Sequence, residues 1–135
     1  MLETGDVFLA INPGLSGSNA HYHIVVFKTA DNLIVVTYTT TQIEKARRQC
    51  QRKEKIKFDT IEPETLVIVE PLDSMSFSQR CAIDCNIVQM MPEASYATKP
   101  AFKKLQPITN PTLIQRIRDA IKKSRVVEER ILKLL

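Results

Sequence analysis

Residues 21–41 read HYHIVVFKTADNLIVVTYTTT, and this stretch decides the fold. Two runs rich in β-branched and aromatic residues, His21 to Lys28 and Leu33 to Thr41, flank the polar turn Ala30-Asp31-Asn32. Such runs favour strands, and a short polar turn between them favours a hairpin. The sequence therefore predicts an antiparallel hairpin that sets residues near 21 opposite residues near 41.

Shorter strands are predicted on both sides of this hairpin. Asp6 to Asn12 precedes it, and the loop Pro13 to Asn19 between them holds two of the chain's three glycines. After the hairpin, Gln42 to Arg52 is either a basic helical turn or an exposed loop. The later β-rich segments lie around Ile56 and Phe58, at Thr65 to Glu70 and at Arg80 to Val88. Six short strands with close connections favour a mainly β fold, a small closed antiparallel barrel.

The last third of the chain predicts a crossing segment and a helix. Residues 91–109 contain three prolines and are expected to be irregular. Asn110 then suits a helix N-cap, and Pro111 suits the first helical position. Apolar or small residues follow at helical spacing: Leu113, Ile117, Ala120, Ile121, Ser124, Val127, Ile131 and Leu134. We therefore expect a single domain, with a barrel over 1–90, the crossing segment over 91–109 and a C-terminal helix over 110–135.

Composition bounds the class of protein. Apolar residues make up 44% and charged residues 25% of the 135 residues, which is enough to build a core. The longest apolar run, Ile24 to Phe27, is far shorter than the roughly twenty residues of a membrane helix. Met1 to Asp6 lack the pattern of a secretion signal, so a cytoplasmic protein without membrane contact is expected. The chain has no P-loop, G-x-S-x-G or H-E-x-x-H motif, which disfavours an ATPase, a serine hydrolase and a zinc protease.

Positive charge is concentrated in one segment. The net charge is +4, yet Lys45 to Lys57 alone holds seven basic residues and one acid. Such a cluster suits phosphate contact, although a solvated surface is the alternative. The candidate nucleic-acid-binding residues are Arg47, Arg48, Arg52 and Lys53, with Tyr22 stacking on a base; Tyr38 is a further stacking candidate. A strand tyrosine can equally be a half-buried packing residue.

The three cysteines, Cys50, Cys81 and Cys85, do not predict a disulfide framework. On a strand, Cys81 and Cys85 share one face, which suits small core residues, while Asp84 and Asn86 fall on the opposite, outward face. A metal site that joins these cysteines to His21 and His23 is a minor alternative, because the spacing is poor. No metal or other cofactor is expected.

Several segments, taken in order, resemble the MazF/PemK family of ribosome-independent endoribonuclease toxins. They are Gly5-Asp6-Val7-Phe8-Leu9, Ile24-Val25-Val26, Val35 to Thr41 and Cys81 to Ile87, and the resemblance covers roughly residues 4 to 90. It implies an SH3-like barrel and cleavage of single-stranded RNA without a metal, in which the 2′-hydroxyl attacks its own phosphate. It also implies an antitoxin protein that covers the cleft.

The same resemblance suggests where the chemistry lies. The family carries an arginine just before the Val-rich strand and a serine or threonine at the end of the next strand. Thr39, Thr40 or Thr41 matches the second position, but His21-Tyr22-His23 stands where the arginine is expected. Histidine titrates near neutrality and serves as acid or base, so the candidate catalytic residues are His21, His23, Thr39 and Thr41. Losing the arginine also removes a permanent phosphate-binding charge.

Three functions therefore stay open at this point. The first is a toxin-type endoribonuclease, and the second is a catalytically silent SH3-like barrel that binds nucleic acid or a protein. The third is a structural or regulatory domain whose basic segment is only surface. We also expect a homodimer, because the apolar stripe of the terminal helix and its Leu132, Leu134 and Leu135 exceed what one barrel face covers.

Overall fold

The computed structural model describes residues 1–56, 61–74 and 77–135. The strands in these ranges are β1 (Val7–Ile11), β2 (Ala20–Lys28), β3 (Leu33–Tyr38), β4 (Leu66–Val69), β5 (Cys81–Asp84), β6 (Gln89–Pro92) and β7 (Lys103–Lys104). The helices are α1 (Pro13–Ser16), α2 (Ile43–Glu54), α3 (Glu93–Ala97), α4 (Pro111–Lys122) and α5 (Glu129–Leu132). The strand predicted around Ile56 and Phe58 extends into residues 57–60, which lie outside the described residues.

The predicted hairpin is confirmed as the centre of the main sheet. β2 and β3 pair antiparallel with His23 opposite Tyr38, and the strand order of this five-stranded sheet is β6-β3-β2-β1-β7. The turn closes with Asn32 at φ 64°, a left-handed conformation that asparagine tolerates better than most residues. The amide of Thr39 donates to the carbonyl of Tyr22, so the far ends of the two strands meet as expected.

The mainly antiparallel architecture is confirmed, but the closed barrel is wrong. β4 and β5 form a separate two-stranded sheet. Thr40 and Ala82 exchange two backbone hydrogen bonds and thereby join this small sheet to the end of β3. In the described ranges β6 and β7 are the outer strands of the main sheet, and neither pairs with the small sheet. β7 has only two residues, so it offers too short a ladder to close a barrel.

Both faces of the main sheet are covered. On one face, apolar side chains of α4, including Leu113 and Ile117, pack with Ile24 of β2 and with Cys81 and Cys85. This confirms the two cysteines as small core residues. A second cluster covers the other face: Leu2, Phe8, Ala10, Val25, Ile34, Val36 and Tyr96. The central strands of the main sheet are therefore buried on both faces.

The basic segment forms a helix, so the helical alternative is the correct one. Ala46 and Cys50 of α2 are buried against β4 and β5, together with Leu66 and Ala82. The opposite face of α2 is exposed to solvent. No helix among the described residues is long and apolar enough to cross a membrane.

The terminal helix is shorter than predicted. α4 ends at Lys122, because the hydroxyl of Ser124 accepts hydrogen bonds from the amides of Val126 and Val127 and terminates the helical pattern. The short helix α5 then begins at Glu129. Leu132, Leu134 and Leu135 are partly buried against the chain's own core, so they leave less apolar surface for a homodimer than the sequence suggested. The oligomeric state stays a prediction.

The predicted cap of α4 is confirmed and can be tested. The Asn110 side chain accepts a hydrogen bond from the Thr112 amide at 3.0 Å and donates one to Asp73 at 2.9 Å. We expect Asn110→Ala to lower the free energy of unfolding by about 1 to 2 kcal/mol, because it removes a cap and a partner of a buried carboxylate. Urea unfolding measures this. Gln115→Ala on the exposed face of α4 is the control and should change stability by less than about 0.5 kcal/mol; equal losses would contradict the cap.

Candidate functional site

His21 lies half-buried at the start of β2, where the main sheet meets the small sheet. Its Nδ1 is 3.0 Å from the carbonyl oxygen of Thr39, and its ring meets the ring of Tyr38 edge to face with centroids 5.2 Å apart. A carbonyl oxygen only accepts hydrogen bonds, so Nδ1 must carry the proton in this contact. In the neutral ring, Nε2 therefore keeps its lone pair and is the nitrogen able to accept a proton.

Two pockets share the His21 side chain as a wall. We call the first the polar pocket; it has a volume of about 200 Å³ and is lined by Ser16, Asn19, His21, Tyr38, Thr40, Gln42, Lys45, Ala46, Gln49 and Asp84. We call the second the mixed pocket; it has a volume of about 270 Å³ and is lined by Leu9, Ala20, His21, Tyr22, Thr39, Thr41, Phe77, Ser78, Gln79 and Cys81. His21 therefore lies between the strongly polar first pocket and the partly apolar second pocket.

The polar pocket combines a base, two hydrogen-bond donors and a carboxylate. Burial raises the pKa of Tyr38, and the negative charge of Asp84 raises it further, so the phenol stays protonated at neutral pH. Lys45, an exposed residue of α2, is the lysine among the residues that line this pocket. The carboxylate of Asp84 is 2.8 Å from Nζ of Lys53, which neutralises it. Lys45 therefore supplies the unpaired positive charge of this pocket among the residues described.

Asp84 and Asn86 are not solvent-facing, which corrects the sequence-based expectation. The Asn86 side-chain amide donates to Asp84 and to the hydroxyl of Thr65, and its oxygen accepts from the hydroxyl of Ser124. Both residues are buried, because α2 and the end of α4 cover the face of β5 that the alternation pattern assigned to solvent. This network fixes the Asp84 carboxylate in the wall of the polar pocket.

His23 is not among the residues that line either pocket, so the structure does not bring the predicted histidine pair together, and a catalytic role for His23 stays a prediction. The His23 side chain is fully buried and stacks on Phe8 at 4.8 Å between centroids, with the ring planes 7° apart. Its Nδ1 donates to the carbonyl of His21, and Nε2 makes no hydrogen bond to any residue that the structure describes. Burial lowers the pKa of His23 to about 4, which keeps the ring neutral at physiological pH.

Thr39 and Thr41 lie close to His21, as the hairpin register predicted. Thr39 is only 4% exposed and acts through its carbonyl oxygen, which orients the His21 ring. Thr41 is exposed and lines the mixed pocket. The structure thus brings His21, Thr39 and Thr41 together and places His23 in the core. A catalytic role for either threonine stays a prediction.

The candidate phosphate contacts divide into two groups. Arg47 forms ion pairs with Glu44 and Glu62, and these carboxylates raise its pKa. Lys53 is held by Asp84, so both side chains are already engaged within the chain. Arg48 and Arg52 are exposed and make no ion pair with any described residue.

Tyr22 is a packing residue in this structure. Its ring lies edge to face on Phe77 at 5.5 Å, and it packs against the core beneath the main sheet. It also forms part of the wall of the mixed pocket, so one side of the ring borders a cavity. The structure thus supports the packing alternative, and base stacking by Tyr22 stays a prediction.

Sequence reasoning missed the residues that make the polar pocket. Lys45 was seen only as part of a charge cluster, Tyr38 only as a stacking ring, and Asp84 only as surface. Within residues 1–56, 61–74 and 77–135, no group of three or more histidine, cysteine or acidic side chains is placed to hold a metal ion. No family model and no curated protein matches this chain.

Proposed function

We propose that the protein is a toxin-type endoribonuclease that cleaves single-stranded RNA at the polar pocket. The observation that carries the proposal is the orientation of His21. The Thr39 carbonyl fixes its Nδ1 proton, which leaves Nε2 as a base, and the ring lines the pocket beside Tyr38 and Lys45. A positioned imidazole of this kind is the most common acid–base catalyst in proteins.

The proposed reaction uses groups of the chain alone. The 2′-hydroxyl oxygen attacks the adjacent phosphorus and forms a new P–O bond, while its proton passes to Nε2 of His21. The bond from phosphorus to the 5′-oxygen breaks, and that oxygen takes a proton from the Tyr38 phenol. The two side chains then regain their starting forms through solvent. The products are a 2′,3′-cyclic phosphate and a 5′-hydroxyl.

Lys45 has the role of the missing family arginine in this proposal. The reacting phosphate gains charge in the transition state, and a nearby cation stabilises it. Lys45 lines the polar pocket, whereas Arg47 and Lys53 are held by carboxylates. A lysine gives one point charge rather than a bidentate contact, so this stabilisation is weaker than an arginine would give.

The resemblance to MazF/PemK toxins supplies the rest of the proposal. An SH3-like relation between the two sheets is part of it, and the backbone pair Thr40–Ala82 supports that relation because it joins β3 to β5. An antitoxin that covers the two pockets, a homodimer and a cytoplasmic location are further parts. The antitoxin follows from the resemblance, whereas the homodimer and the cytoplasmic location are the sequence-based expectations.

A second candidate function is RNA binding without cleavage. Lys45 is the one basic residue other than His21 among the residues that line the polar pocket, and the mixed pocket has His21 alone. A cleavage site usually places more positive charge on the phosphate than this. The same pockets would then hold a nucleotide segment with no reaction.

Cleavage of a labelled single-stranded RNA by the purified protein separates the two candidates. We expect strand scission that continues in the presence of a chelator, because the proposed reaction needs no metal. A DNA oligonucleotide of the same sequence is the matched control and should stay intact, since it has no 2′-hydroxyl. Binding of both strands with no scission of either would support the second candidate instead.

A further inference from the structure

The exposed face of α2 carries a row of unpaired positive charges. Lys45, Arg48 and Arg52 are spaced by three and four residues, which sets them on one side of the helix, and Lys55 follows at the C-cap, where the backbone is left-handed (φ 59°). All four are exposed, and none makes an ion pair with a residue in the described ranges. We call these four residues the basic stripe.

The acidic side chains of α2 do not neutralise the basic stripe. Glu44 is paired with Arg47. Glu54 accepts hydrogen bonds from the backbone amides of Glu64 and Thr65. Like charges three and four residues apart repel each other along a helix. The positive side chains of the basic stripe therefore repel one another, and a bound polyanion would reduce this repulsion.

The stripe leads to the polar pocket. Lys45 at its first end lines that pocket together with His21, and Arg52 lies about 10 Å away along the helix axis, at about 1.5 Å per residue. The apolar side of α2 is buried under β4 and β5 through Ala46 and Cys50. No apolar face of this helix is left to enter a lipid surface, which is what a membrane-binding basic helix needs.

We propose that the basic stripe is the path along which the phosphate backbone of the RNA leaves the polar pocket. This inference rests on the proposed function in naming RNA as the polyanion and in placing it at the polar pocket. The stripe consists of lysine and arginine side chains alone, which suits contact with phosphates. Lys45, Arg48, Arg52 and Lys55 then set affinity and the position of the strand, whereas Arg47 and Lys53, which the sequence also suggested, do not.

The salt dependence of binding tests this path. The probe is a fluorescent single-stranded 2′-O-methyl oligouridylate, which lacks a free 2′-hydroxyl and so reports binding without cleavage. Each phosphate contact contributes about 0.7 to the slope of log affinity against log salt concentration for single strands. We expect Arg48→Gln and Arg52→Gln each to lower that slope by about 0.7. Arg47→Gln, the neighbouring residue held by Glu44 and Glu62, is the matched control and should keep the wild-type slope.

The results that would overturn the path are specific. Equal slopes for Arg47→Gln, Arg48→Gln and wild type would remove the stripe from the binding site. Binding to phosphatidylserine vesicles or to polyglutamate that depends on Arg48, with no such dependence for the oligouridylate, would assign the stripe to another partner. Because the probe cannot be cleaved, the slopes of Arg48→Gln and Arg52→Gln do not depend on whether the His21 pocket is a cleavage site. Cleavage can therefore fail while the path stands, and the path can fail while cleavage stands.

Discussion

Replacement of His21 by glutamine should lower the rate of RNA cleavage by at least about 100-fold, the usual contribution of a general acid–base group. Glutamine keeps a similar size and still donates a hydrogen bond to the Thr39 carbonyl, but its amide cannot accept the proton of the 2′-hydroxyl. Affinity for the uncleavable 2′-O-methyl strand should stay within about twofold, because glutamine has a similar size and Lys45 and the other cations are unchanged. Single-turnover kinetics measures the loss.

Two further variants decide whether the lower cleavage rate of His21→Gln comes from the loss of its acid–base group or from a change in the shape of the pocket. Gln49→Ala alters the lining of the same polar pocket without touching a titratable group, and we expect it to keep most of the activity. Tyr38→Phe removes the proposed proton donor and leaves the ring against His21, so it should slow cleavage without changing the fold. Cleavage by His21→Gln at the wild-type rate would show that another group acts as the base.

His23 should make the fold sensitive to acid. Its pKa is lowered to about 4 in the folded chain, with burial as the main cause and the charges of His21 and Lys99 adding to it. In the unfolded chain the ordinary value is near 6.5, so between these values the unfolded state binds more protons. Stability is therefore complete above about pH 6.5 and falls as the pH is lowered towards about 4. The expected loss is about 3 kcal/mol.

Urea unfolding at about pH 7 and about pH 4 measures this loss, and His23→Leu isolates it. Leucine fills a similar volume beside Phe8 and has no proton to bind, so the variant should lose about 3 kcal/mol less than wild type across the same pH interval. Each protein is compared with itself at the two pH values, so any pH-independent effect of the substitution on stability cancels. An identical fall in the free energy of unfolding between about pH 7 and about pH 4 in wild type and His23→Leu would show that other groups cause the acid sensitivity.

The hairpin and its register were predictable because they follow from local pattern. β2 and β3 are the two longest strands among the described residues and are rich in β-branched and aromatic side chains, and the short turn between them leaves one dominant antiparallel pairing. That register correctly set His21 beside the threonines that follow β3. The cap at Asn110 was predictable for the same reason, since a cap depends on residues within one helical turn.

The burial of His23 was not predictable from local pattern. Alternation correctly placed His21 and His23 on one face of β2. It does not show how far along the strand that face is buried by residues from other elements. Phe8 of β1 and Tyr96 of α3 cover that face as far as His23, and His21 lies beyond them. The cover comes from residues distant in the chain, so only the tertiary structure separates the two histidines.

The ion pairs that α2 makes with other parts of the chain were also not predictable from local pattern, because their partners are distant in the chain. Arg47 and Arg48 are adjacent and chemically alike, yet Glu62 reaches only Arg47. Lys53 is engaged because Asp84, far along the chain, faces α2 from β5. Asp84 itself was assigned to solvent, since period-two alternation does not show that a helix covers the second face of a strand. The closed barrel failed for a related reason: strand counts do not show which edges pair.

The chemical ends of the RNA products give the most direct test of the proposed function. Mass spectrometry would be applied to one short RNA after incubation with wild type and with His21→Gln, both in excess chelator. We predict fragments with a 2′,3′-cyclic phosphate and a 5′-hydroxyl from wild type, and at least about 100-fold less of each from His21→Gln. Products that end in a 5′-phosphate, or equal yields from the two proteins, would contradict RNA cleavage by the His21 pocket.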